Sequence, residues 1–135
     1  MRITGLYAAL STLLILLLAL RVVAYRRTHS IGLGDGNDGE LRKRIRAHGN
    51  AIEYLPVGLI ALLLLELNQT APVLLHVFGI TLIVARVAHA WGVSHHSGVS
   101  PGRITGVVLT FVILLAMALL LLWQWFAWTT IAAAH

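Results

Sequence analysis

Four long apolar segments, separated by short polar stretches, dominate the pattern along this chain. They cover about residues 3–25, 45–67, 72–92 and 103–128. At about 1.5 Å per residue, each is long enough to cross the roughly 30 Å hydrocarbon core of a bilayer. The first segment is too long for a signal peptide, and no small-residue cleavage site follows it. The pattern predicts an all-α integral membrane protein, a four-transmembrane-helix bundle in one domain, residues 1–135.

Basic residues are spread unevenly over the three connections between these segments. The first connection contains Arg26, Arg27, Arg42, Lys43 and Arg44. The third lies between Arg86 and Arg103, whereas the second, residues 68–71, has no basic residue. Because basic loops remain in the cytoplasm, the first and third connections are predicted to be cytoplasmic and both termini to lie outside.

The composition excludes several classes of protein. Hydrophobic residues make up 59% of the chain and charged residues 11%, which is far too apolar for an ordinary soluble domain. There is no cysteine, so disulfides, thiolate metal sites and cysteine nucleophiles are excluded. The net charge of +5 is clustered and is not interleaved with aromatic residues, so no nucleic-acid partner is predicted.

The seven histidines raise the question of a haem or metal site. His76 and His89 share the third segment, but each haem would need a second histidine on a facing helix, and the second segment offers only His48. His95 and His96 have no carboxylate or thiolate nearby in the sequence and are interpreted as loop residues. The sequence therefore predicts neither a haem nor a metal ion.

A polar triad, Arg46, Asn50 and Glu53, interrupts the start of the second apolar segment. The spacing i, i+4 and i+7 projects the three side chains from one face of a helix. Ionisable groups in a membrane segment are costly and usually functional. Arg86 and His89, three residues apart on the third helix, add polar groups at the same end of the bundle. Together these residues predict a polar pocket that faces the cytoplasm.

The same polar residues could instead have purely structural roles. Arg46 could snorkel to the membrane interface, or Arg46 and Glu53 could satisfy polar partners at a subunit interface. The glycine-rich segment 31–39 lacks the Gly-Lys-Ser/Thr ending of a phosphate loop and the final glutamate of an EF-hand, so it is interpreted as a flexible turn. Glu66, at the far end of the second helix, is interpreted as solvated at the interface.

The segment Arg46-Ala-His-Gly-Asn-Ala-Ile-Glu-Tyr-Leu-Pro56 resembles the second-helix signature of the MAPEG family, the membrane-associated proteins in eicosanoid and glutathione metabolism. Arg86-Val-Ala-His89 resembles the third-helix motif of the prostaglandin E synthase branch. The chain length and the four-helix plan are similar too, so the resemblance covers nearly the whole chain. It implies a homotrimer, here of the bacterial inner membrane, with glutathione bound at subunit interfaces.

The resemblance also implies roles for individual residues. Arg103 aligns with the arginine that contacts the glutathione thiol and is the candidate catalytic residue. His48 corresponds to a position that reaches glutathione across the interface, and Arg26 or Arg27 to an arginine that holds the glycyl carboxylate. The implied glutathione-binding set is Arg26, Arg27, Arg46, His48, Asn50, Glu53, Tyr54, Arg86 and His89. The chain departs from the family at Val93, where a second tyrosine is usual, and has one extra residue before Arg103.

The chemistry of these side chains suits glutathione. Arginines bind carboxylates through two parallel hydrogen bonds, and Glu53 could pair with the ammonium group. An arginine near the thiol stabilises the nucleophilic thiolate. The predicted function is a membrane-bound glutathione-dependent transferase or peroxidase that acts on a lipophilic electrophile. A non-catalytic membrane scaffold that binds a thiol is the alternative, followed by a small four-helix transporter, which would need a coupling carboxylate deep within a helix.

Overall fold

The computed structural model describes residues 2–95, 98 and 100–132, and four α-helices account for most of them. The helices are α1 (Arg2–Thr28), α2 (Gly39–Leu67), α3 (Pro72–His95) and α4 (Pro101–Ala132). Each is long and apolar enough to cross a membrane. Even α3, with 24 residues, spans roughly 36 Å, more than the hydrocarbon core requires. The prediction of an all-α membrane protein with four spanning helices is confirmed.

The helices are longer than the apolar segments that predicted them. The clearest difference is at α2, which begins at Gly39 rather than near residue 45. Asp38 caps it, since its Oδ1 accepts hydrogen bonds from the amides of Glu40 (2.7 Å) and Leu41 (3.0 Å). The first two turns of α2 are therefore charged helix beyond the apolar span. His95, interpreted as a loop residue, is the last residue of α3, and His96 lies outside the described residues.

The helices alternate in direction, which gives the bundle two chemically different ends. The basic end holds the α1–α2 and α3–α4 connections, and the aromatic end holds the α2–α3 turn and the tryptophans of α4. In the described part of the chain, α2 and α3 form a central pair that contacts both outer helices, whereas α1 and α4 do not touch each other. The core between them contains fully buried apolar side chains, among them Leu55, Leu62, Leu82 and Met117.

A close crossing of α3 and α4 depends on glycine. A Cβ at Gly106 would lie 2.6 Å from the carbonyl oxygen of Ala85 and from the amide nitrogen of His89. A Cβ at Gly92 would lie 2.8 Å from Ser100 Oγ. Small residues allow helix backbones to approach in this way inside a membrane. The crossing brings the end of α3 and the start of α4 together at the basic end.

The aromatic end is closed by hydrogen bonds between neighbouring elements. Asn68 Nδ2 donates to Gln124 Oε1 (2.9 Å), and Gln124 Nε2 donates to Thr70 Oγ1 (2.9 Å). These bonds tie the α2–α3 turn to α4. The Tyr7 hydroxyl lies 2.8 Å from His76 Nδ1 and links α1 to α3.

Glu66 has a role beyond the one its position predicts. Its carboxylate accepts hydrogen bonds from the backbone amides of Ile3 (3.2 Å) and Thr4 (2.8 Å) in the first turn of α1. A carboxylate at a helix N-terminus satisfies amides that have no partner within the helix and interacts favourably with the helix dipole. Glu66, partly exposed at the end of the bundle, therefore also fastens the start of α1 to the end of α2, a role that its position in the sequence does not indicate.

Candidate functional site

A cavity of about 400 Å³ opens at the basic end between α2, α3 and α4. We call it the arginine cavity. Its lining residues are Gly39, Arg42, Lys43, Arg46, Asn50, His89, Val93, Arg103 and Val107. The volume lies in the range of small-molecule sites, roughly 300 to 1,000 Å³. Among the described residues that line it, four are arginine or lysine and none is acidic.

One face of α2 forms the first wall of this cavity. Arg42, Arg46 and Asn50 follow one another at intervals of four residues, so their side chains lie in a row. Arg42 Nε donates to Asp35 Oδ2 at 2.7 Å, and Lys43 pairs with Glu40. At the mouth of the cavity, Arg42 and Lys43 are therefore paired with nearby carboxylates. Arg46 and Asn50 line the cavity further along α2.

The turn before α2 is a defined structure that holds this wall in place. Gly34 and Gly36 adopt positive φ angles of 69° and 59°, a conformation that glycine adopts without strain. Asp35 Oδ1 accepts from the amide of Asn37 at 3.0 Å, and the Tyr25 hydroxyl donates to Asp38 Oδ2 at 2.9 Å. Segment 31–39 is thus a turn, as predicted, with specific side-chain contacts that the sequence did not indicate. Its side chains anchor it to both α1 and α2.

Two carboxyl groups of this turn are held in their charged form. The Arg42 guanidinium lowers the pKa of Asp35 below its ordinary value, aided by the Asn37 amide. The backbone amide of Leu41 lowers the pKa of Asp38, with further hydrogen bonds from Tyr25 and Glu40. Both carboxylates are ionised at neutral pH, as the cap and the ion pair require.

The start of α4 forms the opposite wall. Ser100 caps the helix, since its Oγ accepts from the Arg103 amide (3.4 Å) and donates to the Gly92 carbonyl oxygen (3.1 Å). Pro101 occupies the first helical position, where its missing amide hydrogen costs nothing. This cap joins α4 to α3 and places Arg103 in the first turn of α4, where it lines the arginine cavity with Arg46.

Arg86 lies behind the cavity wall and is only 2% exposed. Its guanidinium donates to Asn50 Oδ1, to Thr110 Oγ1 and to the Gly106 carbonyl oxygen, the last at 2.7 Å. The guanidinium carbon also lies 5.2 Å from the centre of the Tyr54 ring. Because Arg86 occupies the carbonyl side of the Asn50 amide, the Asn50 NH₂ group is left to serve as a donor in the cavity.

The structure separates the residues singled out in the sequence into three groups. Arg46, Asn50, His89 and Arg103 line the arginine cavity together. Arg86 and Tyr54 stand behind it, in contact with each other. The remaining four lie outside it in the single chain, namely Arg26, Arg27, His48 and Glu53. Glu53 is exposed on the surface of α2, and Arg26 and Arg27 line a different cleft.

Two cationic lining residues, Arg42 and Lys43, are not among the predicted site residues. Apolarity alone predicts that the second helix begins near residue 45, which leaves both of them in the connection before it. The signal that locates them is Asp38-Gly39-Glu40, an N-cap followed by an acidic first turn. A helix that starts there places Arg42 one turn before Arg46 on the same face.

Comparisons with known proteins agree with this architecture. The model of the MAPEG family matches residues 4–123, which reach into all four helices. Inner membrane protein YecN of Escherichia coli strain K12 is 36% identical over 121 residues, which cover 90% of this chain and 91% of that protein. YecN of Escherichia coli O6:H1 strain CFT073 matches to the same extent. Together with the four apolar helices, this similarity identifies a multi-pass inner membrane protein.

Proposed function

Because this chain belongs to the MAPEG family, we propose that its arginine cavity binds glutathione or a related thiol for attack on a lipophilic electrophile. The observation that carries the proposal is the charge of the cavity. Arg42, Lys43, Arg46 and Arg103 line it, and none of the lining residues that the structure describes is acidic. Glutathione has two carboxylates and a thiol that can ionise, against one ammonium group. Its surplus negative charge complements the cavity.

Different lining residues bind glutathione and activate its thiol. Arg46 and the cations at the mouth bind the carboxylates, and the Asn50 amide, oriented by Arg86, donates to a peptide carbonyl. Arg103 contacts the sulfur and stabilises its thiolate form, which is the nucleophile. Val93 and Val107 provide an apolar side of the cavity from which a membrane-dissolved molecule can approach.

The proposed transfer balances without a further cofactor. The thiolate sulfur forms a bond to an electrophilic carbon, the leaving group departs with its electron pair, and the thiol proton passes to water. In the peroxidase version, two thiols are oxidised to a disulfide while the hydroperoxide is reduced to an alcohol and water. Positioning the thiolate beside the electrophile supplies most of the rate gain in either reaction.

Glu53 supports the homotrimer that we include in the proposal. It is the central residue of α2 and is exposed on the surface of the single chain. A carboxylate that faces hydrocarbon is costly, so a neighbouring subunit is expected to cover it. The ligand then lies between subunits, with Glu53 available to the ammonium group of glutathione and His48 to the partner's ligand.

The distribution of basic residues supports an assignment of the membrane side that this site faces. The residues around both of its connections are rich in arginine, whereas the α2–α3 turn has no basic residue. By the positive-inside rule, the arginine cavity faces the cytoplasm, where glutathione is made, and both termini are periplasmic.

The apolar side chain at Val93 supports a second candidate function, a membrane scaffold that binds a thiol without converting it. It lines the cavity at the position where the family usually has a tyrosine, so an apolar side chain replaces a hydroxyl donor. Calorimetric titration followed by an activity assay separates the two candidates. Binding without conversion of an electrophile such as 1-chloro-2,4-dinitrobenzene or of a lipid hydroperoxide supports the scaffold.

The decisive titration uses the full chain purified in mild detergent. Glutathione is titrated into the wild type, Arg46→Ala and Arg2→Ala. The last variant removes the same charge from the exposed start of α1, at the opposite end of the bundle. We expect binding to the wild type and to Arg2→Ala, and a loss of at least tenfold for Arg46→Ala, which removes a charge-assisted bond. No binding to the wild type, or equal binding to all three, contradicts the proposal.

A further inference from the structure

Arg42 joins the arginine cavity to the turn before α2. Its side chain lines the cavity, and its Nε donates to Asp35 Oδ2 at 2.7 Å. Asp35 is not one of the residues that line the cavity, so its carboxylate reaches the guanidinium group from outside. The Arg42 side chain is 58% exposed, so burial does not fix its position. The ion pair with Asp35 therefore restricts where the guanidinium group lies.

The turn fixes the position of Asp35 through its own hydrogen bonds. Asp35 Oδ1 accepts from the amide of Asn37 at 3.0 Å, and the Asp35 carbonyl oxygen accepts from the amide of Asp38 at 2.9 Å. Gly34 and Gly36, on either side, adopt the positive φ angles of this tight path. Oδ1 serves the turn and Oδ2 serves Arg42, so the two carboxylate oxygens have separate partners. The turn therefore provides a fixed support for the arginine.

The bond to Asp35 leaves most donors of the Arg42 guanidinium group available. An arginine side chain donates from Nε and from both Nη atoms, which lie in one plane. Among the described residues, none accepts a hydrogen bond from the Arg42 Nη atoms. This outer pair of nitrogens can bind a carboxylate through two parallel hydrogen bonds while Nε stays bonded to Asp35. Arg42 can thus bind an internal carboxylate and a ligand carboxylate at the same time.

Lys43, the neighbouring cation at the mouth, is held differently. It pairs with Glu40, three residues earlier on the same helix, and the Glu40 side chain is 54% exposed. An exposed pair of this kind contributes little, so it does not hold the lysine firmly. An ammonium group is also a point charge, without the planar fork that orients a carboxylate. Of these two cations, Arg42 is therefore the one that is presented to a ligand in a set orientation.

We propose that Asp35 is a positioning residue for the bound thiol: it holds Arg42 through Nε, so that the Nη atoms of Arg42 bind a carboxylate of the ligand. This role rests on the proposed function and adds to it a residue that does not touch the ligand. A long side chain loses rotamer freedom when it binds, and this loss weakens affinity. Because Asp35 has already restricted Arg42 in the free protein, less freedom is lost on binding.

The sign of the effect separates positioning from simple electrostatics. Removal of a carboxylate near a cationic cavity raises the positive potential there and should strengthen the binding of an anion. The same strengthening is expected if Asp35 competes with the ligand for Arg42. If Asp35 positions Arg42, its removal weakens binding in spite of the gain in potential. A weaker affinity is therefore the result that only positioning or a damaged turn can produce.

Calorimetric titration of glutathione into the full chain in mild detergent measures this sign. The wild type is compared with Asp35→Asn and Glu40→Gln, which each lose one negative charge at the basic end. Asparagine can still accept from the Asn37 amide, but its NH₂ group cannot accept from Arg42. We expect binding about threefold weaker for Asp35→Asn, and unchanged or up to about twofold tighter for Glu40→Gln. Equal or tighter binding by Asp35→Asn, or the same weakening in both variants, overturns the proposal.

A double-mutant cycle separates positioning from damage to the turn. Arg42→Gln is expected to weaken glutathione binding about tenfold, because it removes charge-assisted hydrogen bonds. Asp35→Asn should then add nothing to Arg42→Gln, since its whole effect passes through the arginine. If Asp35→Asn weakens binding equally with and without Arg42, the carboxylate only supports the turn, and the proposal is overturned.

Arg42→Lys tests whether orientation matters beyond charge. The variant keeps the positive charge but has no planar fork that could bind Asp35 and a ligand carboxylate together. We expect glutathione to bind at least about threefold more weakly than to the wild type, as in Asp35→Asn. Affinity equal to that of the wild type would mean that only the charge at this position counts, which contradicts the proposal.

The same titrations distinguish failure of this role from failure of the proposed function. If the wild type binds glutathione, Arg46→Ala loses it, and neither Asp35→Asn nor Arg42→Gln changes the affinity, the thiol site stands and only the role of Asp35 is refuted. If the wild type does not bind glutathione, the proposed function is refuted and the role of Asp35 with it.

Discussion

The two ends of the bundle both contain polar residues, but they use them in opposite ways. At the aromatic end, a hollow of about 550 Å³ is lined by Asn68, Gln124 and tryptophans, and its amides bond to each other and to Thr70. Glu66 is bound to the amides of α1. At the basic end, the cations that line the arginine cavity outnumber the acids there. At the aromatic end the polar side chains bond to one another and to backbone amides, whereas at the basic end four cationic side chains line a cavity.

The difference indicates which end of the bundle would gain most from a bound anion. Neutral hydrogen bonds that close on themselves stabilise a membrane bundle without an external partner. A concentration of cations in a partly enclosed cavity repels itself and is relieved by an anion. Arg86 shares a feature with each end. It is a cation, like the residues that line the arginine cavity, but it is buried and its hydrogen-bond acceptors are neutral.

Replacement of Arg86 should have the largest effect on this contrast. Arg86→Ala removes the donor shared by Asn50, Gly106 and Thr110 and leaves a void among α2, α3 and α4. We expect the free energy of unfolding to fall by about 3 kcal/mol. We also expect glutathione binding to be lost, because the Asn50 amide is no longer oriented by Arg86. Thermal unfolding in detergent measures the first and calorimetry the second. Arg2→Ala, an exposed arginine, is the control and should change neither.

Gly106→Ala should separate α3 from α4 and open the basic end alone. The added methyl group would meet backbone atoms of Ala85 and His89 at 2.6 Å, so the helices must move apart. Such overpacking costs about 1–3 kcal/mol. Gly5→Ala is the matched control, because a Cβ there meets nothing within 4 Å. A variant at Gly106 as stable as the one at Gly5 would show that the crossing is looser than the structure describes.

The number of helices and the end that carries the polar groups follow from the sequence, because the apolar length of each span is dictated by the bilayer. The helix ends do not follow from apolarity. Asp38 and Ser100 extend α2 and α4 beyond their apolar runs through capping hydrogen bonds. The apolar pattern therefore hides Arg42, which belongs to the charged first turns of α2.

The placement of single polar residues depends on the packing of several helices and is harder to predict. Arg46, Asn50 and Glu53 share a helix face, yet only the first two line the cavity of the single chain. The bonds of Glu66 to the amides of Ile3 and Thr4 do not follow from the sequence pattern, because these partners are distant from Glu66 along the chain. Periodicity identifies which face a residue occupies, whereas its partner depends on the tertiary contacts.

Glu66→Gln tests whether the polar residues of the aromatic end stabilise the bundle without affecting ligand binding at the basic end. The neutral amide can still accept a hydrogen bond but loses the favourable interaction of a carboxylate with the start of α1, so we expect a loss of about 0.5–1 kcal/mol. Thermal unfolding of the variant against the wild type measures this loss. Glutathione affinity should be unchanged, since Glu66 is remote from the arginine cavity. A large change in affinity would mean that the two ends are coupled.

The smallest effect is expected from the acid titration of the turn before α2. The pKa of Asp38 is lowered in the folded protein by the Leu41 amide, so its capping contribution is fully present above its unfolded pKa of about 4. That contribution is lost as the pH falls through the lower, folded pKa. Hydrogen exchange of the first turn of α2 should therefore accelerate on acidification below about pH 4, by comparison with the intrinsic exchange rate at each pH. Asp38→Asn caps without titrating, so it should flatten this dependence, and an equally steep acid response in the variant would assign the effect to other groups.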